Sequence, residues 1–221
     1  MNIIDTYLMF LPELLRGAGI TIQVLLLSAV LAFCIAFIAG FGRLSRSLVV
    51  RTITTVFVEL FRGTSLLVQM FFFFFALPAF GIELSAFAAG VIALGLNYGA
   101  YASEVVRGAI LAIPHGQTEA GIALNMTRWQ RMRLIILPQA FKIMLPGFGN
   151  NSIELLKGTS LVSLITLSDL TFQARVLKDN YVGNQVEIFT LLLIMYFVIA
   201  LPLILTSRWL EKRASRGVAT R

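Results

Sequence analysis

The sequence predicts an all-α integral membrane protein that crosses the bilayer five times, and three observations carry this. Hydrophobic residues make up 58% of the 221 residues and charged residues 13%. That is about half the charge of a soluble domain, roughly 25%, which excludes an ordinary soluble enzyme and a disordered chain. Four stretches, 17–42, 63–82, 84–103 and 188–207, carry no charge at all, and each matches or exceeds the roughly 20 apolar residues that span hydrocarbon. Lys and Arg, finally, are segregated to alternate connections between these stretches, as cytoplasmic loops require. The length suits one domain, residues 1–221. A single cysteine (Cys34) and a single histidine (His115) exclude an internal disulfide framework and a metal site of clustered Cys and His.

The elements follow in order. The first span covers about 17–42, with Cys34 as packing inside it. The segment before it carries Asp5 and no basic residue up to Glu13, so it does not read as a signal peptide. The second and third spans cover about 60–82 and 84–107. The fourth, about 143–168, is apolar except for Glu154 and Lys157, and the fifth covers about 188–207. Twelve of the eighteen basic residues fall on one side: Arg43, Arg46 and Arg51, then Arg128, Arg131, Arg133 and Lys142, then Arg208, Lys212, Arg213, Arg216 and Arg221. The other side holds Arg16, Arg175 and Lys178 with six acids, Asp5, Glu13, Glu83, Asp169, Asp179 and Glu187. The N-terminus is therefore expected outside and the C-terminus in the cytoplasm. The net charge of +7 then reflects topology and anionic lipid, with no nucleic-acid partner.

The pattern Glu-x-x-(Arg/Lys)-Gly occurs four times, at Glu13–Gly17, Glu59–Gly63, Glu104–Gly108 and Glu154–Gly158. Two copies extend further, ELFRGTSL from Glu59 and ELLKGTSL from Glu154. Glu and a base three residues apart share a helix face and can neutralise each other, while Gly loosens the helix and Thr/Ser hydroxyls can satisfy freed backbone groups. The first three pairs lie beside span boundaries and read as helix-end marks. Glu154 and Lys157 lie near mid-span, where ionisable groups face a bundle interior or a wet pathway. A zwitterionic solute supplies both counter-charges: its carboxylate suits Lys157, its cationic nitrogen suits Glu154, and Thr159 and Ser160 offer hydroxyls where Gly158 opens the helix. Asn97 in the third span and Gln69 in the second are candidates for the wall, and Asn97 reads equally well as interhelical glue.

The loop at about 113–140 reads IPHGQTEAGIALNMTRWQRMRLIILPQA. Thr118 can cap a helix there, with Glu119 in its first turn and Ala120, Gly121 and Ala123 allowing close approach to a partner. A second helix carries Trp129 among Arg128, Arg131 and Arg133 and stops at Pro138.

Glu119-Ala-Gly, three residues, Asn125, nine residues, Ile135-x-Leu137-Pro138 resembles the EAA loop of ATP-binding-cassette importer permeases. Gly121 stands where that pattern has Ala and Asn125 where it has Gly. Asn tolerates a left-handed turn best among the non-glycine residues. LLRGAGIT, ELFRGTSLLVQ, YGAYASEVVRG and LLKGTSLVSLI resemble the polar-amino-acid branch of that family, and VELFRGTSLLVQ, IALNM and ELLKGTSLVSLITLSDLTFQA most resemble ectoine/hydroxyectoine permeases.

The resemblance implies a type I importer transmembrane domain of five helices with a cytoplasmic coupling helix in the bacterial inner membrane. It also implies no covalent chemistry in this chain. A cytoplasmic ATPase dimer binds ATP and Mg, a second permease subunit (a copy or a relative) completes the pair, and an extracytoplasmic solute-binding protein delivers ectoine, hydroxyectoine or a polar amino acid. Glu119, Ala120, Gly121 and Asn125 would couple to the ATPase. An ion-coupled secondary transporter would also account for Glu154 and Lys157, but such folds carry internal inverted repeats, which five spans do not form evenly.

Overall fold

The computed structural model describes residues 3–215, and every helical segment below lies within them. The tail residues Arg216 and Arg221, part of the charge count above, lie outside the described residues. Helix α1 (Ile3–Arg43) is followed by α2 (Leu48–Gly63), α3 (Leu66–Phe71), α4 (Ala86–Leu111), α5 (His115–Ala123), α6 (Arg128–Arg131), α7 (Leu137–Thr159), α8 (Leu170–Asn180) and α9 (Gln185–Ser215). Among the described residues three segments are long and apolar enough to cross a membrane alone, Tyr7–Arg43, Ala86–Leu111 and Val182–Ala214. Two further segments qualify only as bent pairs: Leu48–Gly63 with Leu66–Phe80, bent by 103°, and Arg128–Ile165 with Leu170–Asn180, bent by 52°.

The stretch expected as one span over 60–82 is therefore not a straight helix. It breaks at Gly63-Thr64-Ser65, where Thr64 and Ser65 turn to extended backbone. Beyond the break α3 runs through a wide turn at Phe72–Ala76 and a tight one at Leu77–Phe80. A second wide turn, Met132–Ile136, leads into α7. Each wide turn precedes a Leu-Pro step, Leu77-Pro78 and Leu137-Pro138, and each is closed by a bond five residues back, Leu77 N–H to Phe72 O and Leu137 N–H to Met132 O. The extra residue relieves the clash between a proline ring and the carbonyl four residues earlier. That is why Pro138 does not stop the second loop helix as expected; the helix continues through it into α7. Likewise α5 begins at His115 with Pro114 as its cap, so Thr118 lies inside the helix and caps nothing.

The tightest packing is between α1 and α4. A Cβ added at Gly95 would lie 2.5 Å from Leu31, one at Gly99 2.8 Å from Ile35, and one at Gly40 2.8 Å from Val106. Gly95 and Gly99 are four residues apart on one face, the spacing by which small residues let membrane helices approach. Ser85 caps α4, accepting from Ala88 N–H at 3.2 Å. Behind this pair, Val24, Met70, Leu94, Val162 and Ile165 form one buried cluster, and Phe10, Leu14, Leu170 and Ile188 another. Cys34 is exposed on the outer surface of α1 and does not pack as expected.

Asp169 caps α8 through Phe172 N–H at 2.9 Å and Thr171 N–H at 3.2 Å. Its carboxyl is fully buried, and burial pushes it up to about 6 despite those amide bonds.

Candidate functional site

The four Glu-x-x-(Arg/Lys)-Gly copies do not share one fate. Glu13 and Arg16 pair at 3.1 Å, Glu59 and Arg62 at 3.8 Å, and Glu104 and Arg107 at 2.9 Å. Among the described residues no ion pair joins Glu154 to Lys157, and both side chains are exposed. Lys157 lies at the end of α7, where the chain tightens into the turn Ser160–Ile165. Thr159 is buried and donates to Leu156 O at 2.6 Å, and Ser160 donates to Lys157 O at 2.8 Å. Both hydroxyls thus serve the backbone of the break.

Lys157 and Ser160 line a cavity of about 610 Å³ between α7 and α9, whose other walls include Leu156, Phe189, Tyr196 and Phe197. Lys157 supplies the one charged group of that lining. The Tyr196 hydroxyl is shared with Thr171 Oγ1 at 2.8 Å, which ties the cavity wall to α8. Glu154 is not part of the lining. It sits one turn earlier on the α4 side, where Tyr98 donates to its backbone carbonyl at 2.8 Å. The approach is close: a Cβ at Gly158 would lie 2.5 Å from the Tyr98 oxygen.

Asn97 and Gln69 are brought together elsewhere, at the break between α2 and α3. Gln69 Nε2 donates to Phe61 O at 2.9 Å and to Thr64 Oγ1 at 2.7 Å. Asn97 Nδ2 donates to Phe61 O at 2.9 Å and to Gln69 Oε1 at 3.2 Å. Both residues are buried, at 5% and 7% exposure. The bend frees backbone carbonyls inside an apolar bundle, and these two amides satisfy them.

One constellation was missed from the sequence. Glu104 accepts from Arg43, from Arg62 at 3.3 Å and from Arg107 at 2.9 Å, and Arg43 also reaches Glu59 at 3.5 Å. Two of the repeated pairs and the last residue of α1 thereby form a single cluster. The available signal was Arg43 closing a charge-free span on the same side as both pairs.

In the loop, Glu119 and Ala120 are exposed and Gly121 is buried. Asn125 takes the left-handed conformation, with φ 53°, and Met126 N–H returns to Gly121 O at 3.0 Å. A Cβ at Gly121 would meet Arg131 Cδ at 2.7 Å, and Arg131 in turn donates to Met126 O at 2.7 Å. Gly121 therefore admits the chain's own Arg131 and is not turned outward. Thr127 and Gln130 cap α6 reciprocally. Glu119, Ala120, Ile122, Leu124 and Trp129 of this knob are exposed.

Residues 12–216 match the family model described as binding-protein-dependent transport system inner membrane component. The chain belongs to that family. It is 46% identical over 94% of its length to a probable amino-acid ABC transporter permease of Sinorhizobium fredii, covering 89% of that protein. It is 38% identical to the L-cystine transport system permease of Bacillus subtilis, over 95% of this chain and 90% of that one. It is 37% identical to the glutamine transport system permease of Escherichia coli, over 92% and 93%. A crystal structure of an amino acid ABC transporter with histidines superposes with a TM-score of 0.88 at 31% identity, covering 96% of this chain and 99% of that one. The fold, at 18% identity, is also that of the MetNI methionine ABC transporter in its inward-facing form, with a TM-score of 0.75 over 95% and 97% of the two chains.

These relatives are transporter subunits, and the chain is a membrane-embedded permease and not an enzyme. Membership in the family implies an ATPase partner and a solute-binding protein.

Proposed function

We propose that this permease carries a small zwitterionic solute into the cytoplasm by alternating access, powered by ATP and Mg bound on a separate ATPase dimer. The observation that carries the reading is Lys157: an ammonium without a counter-ion among the described residues, in the otherwise uncharged wall of a cavity of about 610 Å³, at a helix break. Such a charge is costly at membrane depth unless a ligand answers it, and a solute carboxylate does so. Ser160 flanks it, Thr159 holds the break, and Glu154, one turn away, takes the cationic end as the solute leaves the cavity. The solutes named for its relatives are amino acids, which makes a polar amino acid the first class to test. Ectoine and hydroxyectoine, with a carboxylate and an amidinium, present the same pair of charges. The Asn97–Gln69 pair enters this reading as the brace of the α2–α3 bend.

Glu119, Ala120 and the exposed patch around Asn125 dock on the ATPase, with Gly121 bracing the knob from within. The Lys and Arg distribution supports a cytoplasmic side for this knob and the C-terminus, in a bacterial inner membrane, and a second permease subunit completes the solute path. An ion-coupled mechanism finds no support in the fold or the relatives.

The test is uptake of labelled glutamine, arginine, cystine and ectoine by vesicles holding the complete transporter. Lys157→Ala should abolish ATP-dependent uptake while the ATPase still co-purifies, and the swapped pair Glu154→Lys with Lys157→Glu should not restore it. Substantial transport by the swapped protein would mean that the two charges only balance each other.

A further inference from the structure

A polar track leads from the Glu154 turn to the Arg43 end of α1. On α4, Tyr98, Tyr101, Glu104 and Arg107 recur every three residues, a row that winds about half-way round the helix from Tyr98 to Arg107. Tyr98 donates to Glu154 O. Tyr101 donates to Arg62 O at 3.2 Å, and the Arg62 guanidinium lies 5.4 Å from the centre of its ring. Glu104 then gathers Arg43, Arg62 and Arg107, with Glu59 beside them.

At 1.5 Å per residue the track covers about 14 Å, close to half of the roughly 30 Å of hydrocarbon. Its groups are open: Tyr101 is 41% exposed, and the side chains of Glu59, Arg62 and Arg107 are 59%, 33% and 34% exposed. Where such groups lie within the hydrocarbon they face a bundle interior or water. Three guanidiniums meet two carboxylates, and Arg62 Nε is buried without an acceptor among the described residues.

We propose that this track lines the inward half of the solute path, and that Arg62, Arg107 and Glu59 form a second, exit-side station for a small zwitterion. The surplus guanidinium charge takes the carboxylate, and Glu59 with the Tyr101 ring takes the cationic nitrogen. The station rests on the importer reading above but uses none of the residues that line the Lys157 cavity. The contrary reading is a staple that only fixes α1, α2 and α4 and turns Tyr101 to lipid.

Cysteine accessibility separates the two, because a thiol reacts as its thiolate and needs water to form it. The complete transporter, in inside-out vesicles and a Cys34→Ala background, is treated with a charged, membrane-impermeant methanethiosulfonate. Tyr101→Cys and Gly108→Cys report on the track, since Gly108 is exposed, seven residues on from Tyr101, and has nothing within 4 Å of an added Cβ. Ile38→Cys, at a position 71% exposed on the apolar surface of α1, is the control.

Both track cysteines should react at least about tenfold faster than the control, as water-exposed thiolates do, and excess transported solute should slow them. Reaction no faster than Ile38→Cys overturns the proposal, and Gly108→Cys decides it if Tyr101→Cys fails to assemble. If Lys157→Ala transports normally while the track reacts, the cavity reading falls and the path stands; an inert track with an inactive Lys157→Ala protein gives the reverse.

Discussion

Replacing Asn97 with Leu tests whether that residue braces the helix break or touches solute. The change keeps the branched outline of the side chain, though Leu is bulkier, and removes two donors, to Phe61 O at 2.9 Å and to Gln69 Oε1 at 3.2 Å. Interhelical hydrogen bonds in membranes average about 0.6 kcal/mol and reach about 1.7. Phe61 O keeps its bond from Gln69 Nε2, so only Gln69 Oε1 is orphaned, at a cost of about 1–3 kcal/mol in a buried site. The sum is about 2 kcal/mol. At roughly 2–4 °C per kcal/mol for a chain of this size, the thermal midpoint of the purified complex should fall by about 4–8 °C. Uptake should lose rate with little change in KM, because the amide faces the bend and not the cavity. An unchanged midpoint with KM raised about tenfold, equivalent to 1.4 kcal/mol of lost solute binding, would refute the reasoning and return Asn97 to the solute wall.

Two other perturbations follow from the geometry. Gly121→Leu should displace Arg131 from Met126 O and splay α5 from α6, so ATPase co-purification and uptake should both fall while membrane abundance holds; Gly121→Ala should lose less, because the Arg131 methylenes can shift. Normal uptake by Gly121→Leu counts against the knob as a docking element. Asp169 titrates near 4 when unfolded and at about 6 in the fold, so its contribution to stability is full below pH 4 and is lost as pH rises through 6. Asp169→Asn removes the titration but keeps an acceptor for only one of the Phe172 and Thr171 amides, which the carboxylate serves through separate oxygens, so its midpoint should stop falling between pH 4.5 and 7.5, where the parent loses at most about 3 kcal/mol of stability. A variant whose midpoint varies with pH as steeply as the parent's would show that another group controls it.

Much of this was legible in the sequence because lipid imposes a simple rule: apolar runs must become helices whose backbone is satisfied within the segment. The helices Ala86–Leu111 and Gln185–Ser215 follow directly from charge-free runs, and the left-handed Asn125 follows from the resemblance of the loop, in which Asn stands where the family pattern has Gly. What could not be read depends on neighbours far along the chain. The bend after Gly63 exists because Gln69 and Asn97 can pay the hydrogen bonds it releases, and hydropathy does not register two amides. The passage of α7 through Pro138 depends on a wide turn that composition does not mark. The Glu104 cluster joins residues 61 and 42 positions apart, so pairs that look like local helix-end marks turn out to be tertiary.

The two long repeats make the same point from the side of function. ELFRGTSL and ELLKGTSL give the backbone the same local instruction, a glycine followed by two hydroxyls. Their glycines nevertheless serve different ends. Gly63 has nothing within 4 Å of an added Cβ, so its value is a backbone free to turn through 103°. Gly158 lies against the Tyr98 ring, so its value is close approach. Helix α4 clamps both copies, through Tyr101 to Arg62 O and Tyr98 to Glu154 O, but offers a counter-ion only to the first, by way of Glu104. Arg62 is therefore held in a cluster, while Lys157 is left with a cavity and no acid in its wall. Two nearly identical octapeptides thus part company: one is a brace where the neighbouring helix supplies the opposite charge, and the other, in the function proposed above, is a site for solute where it does not.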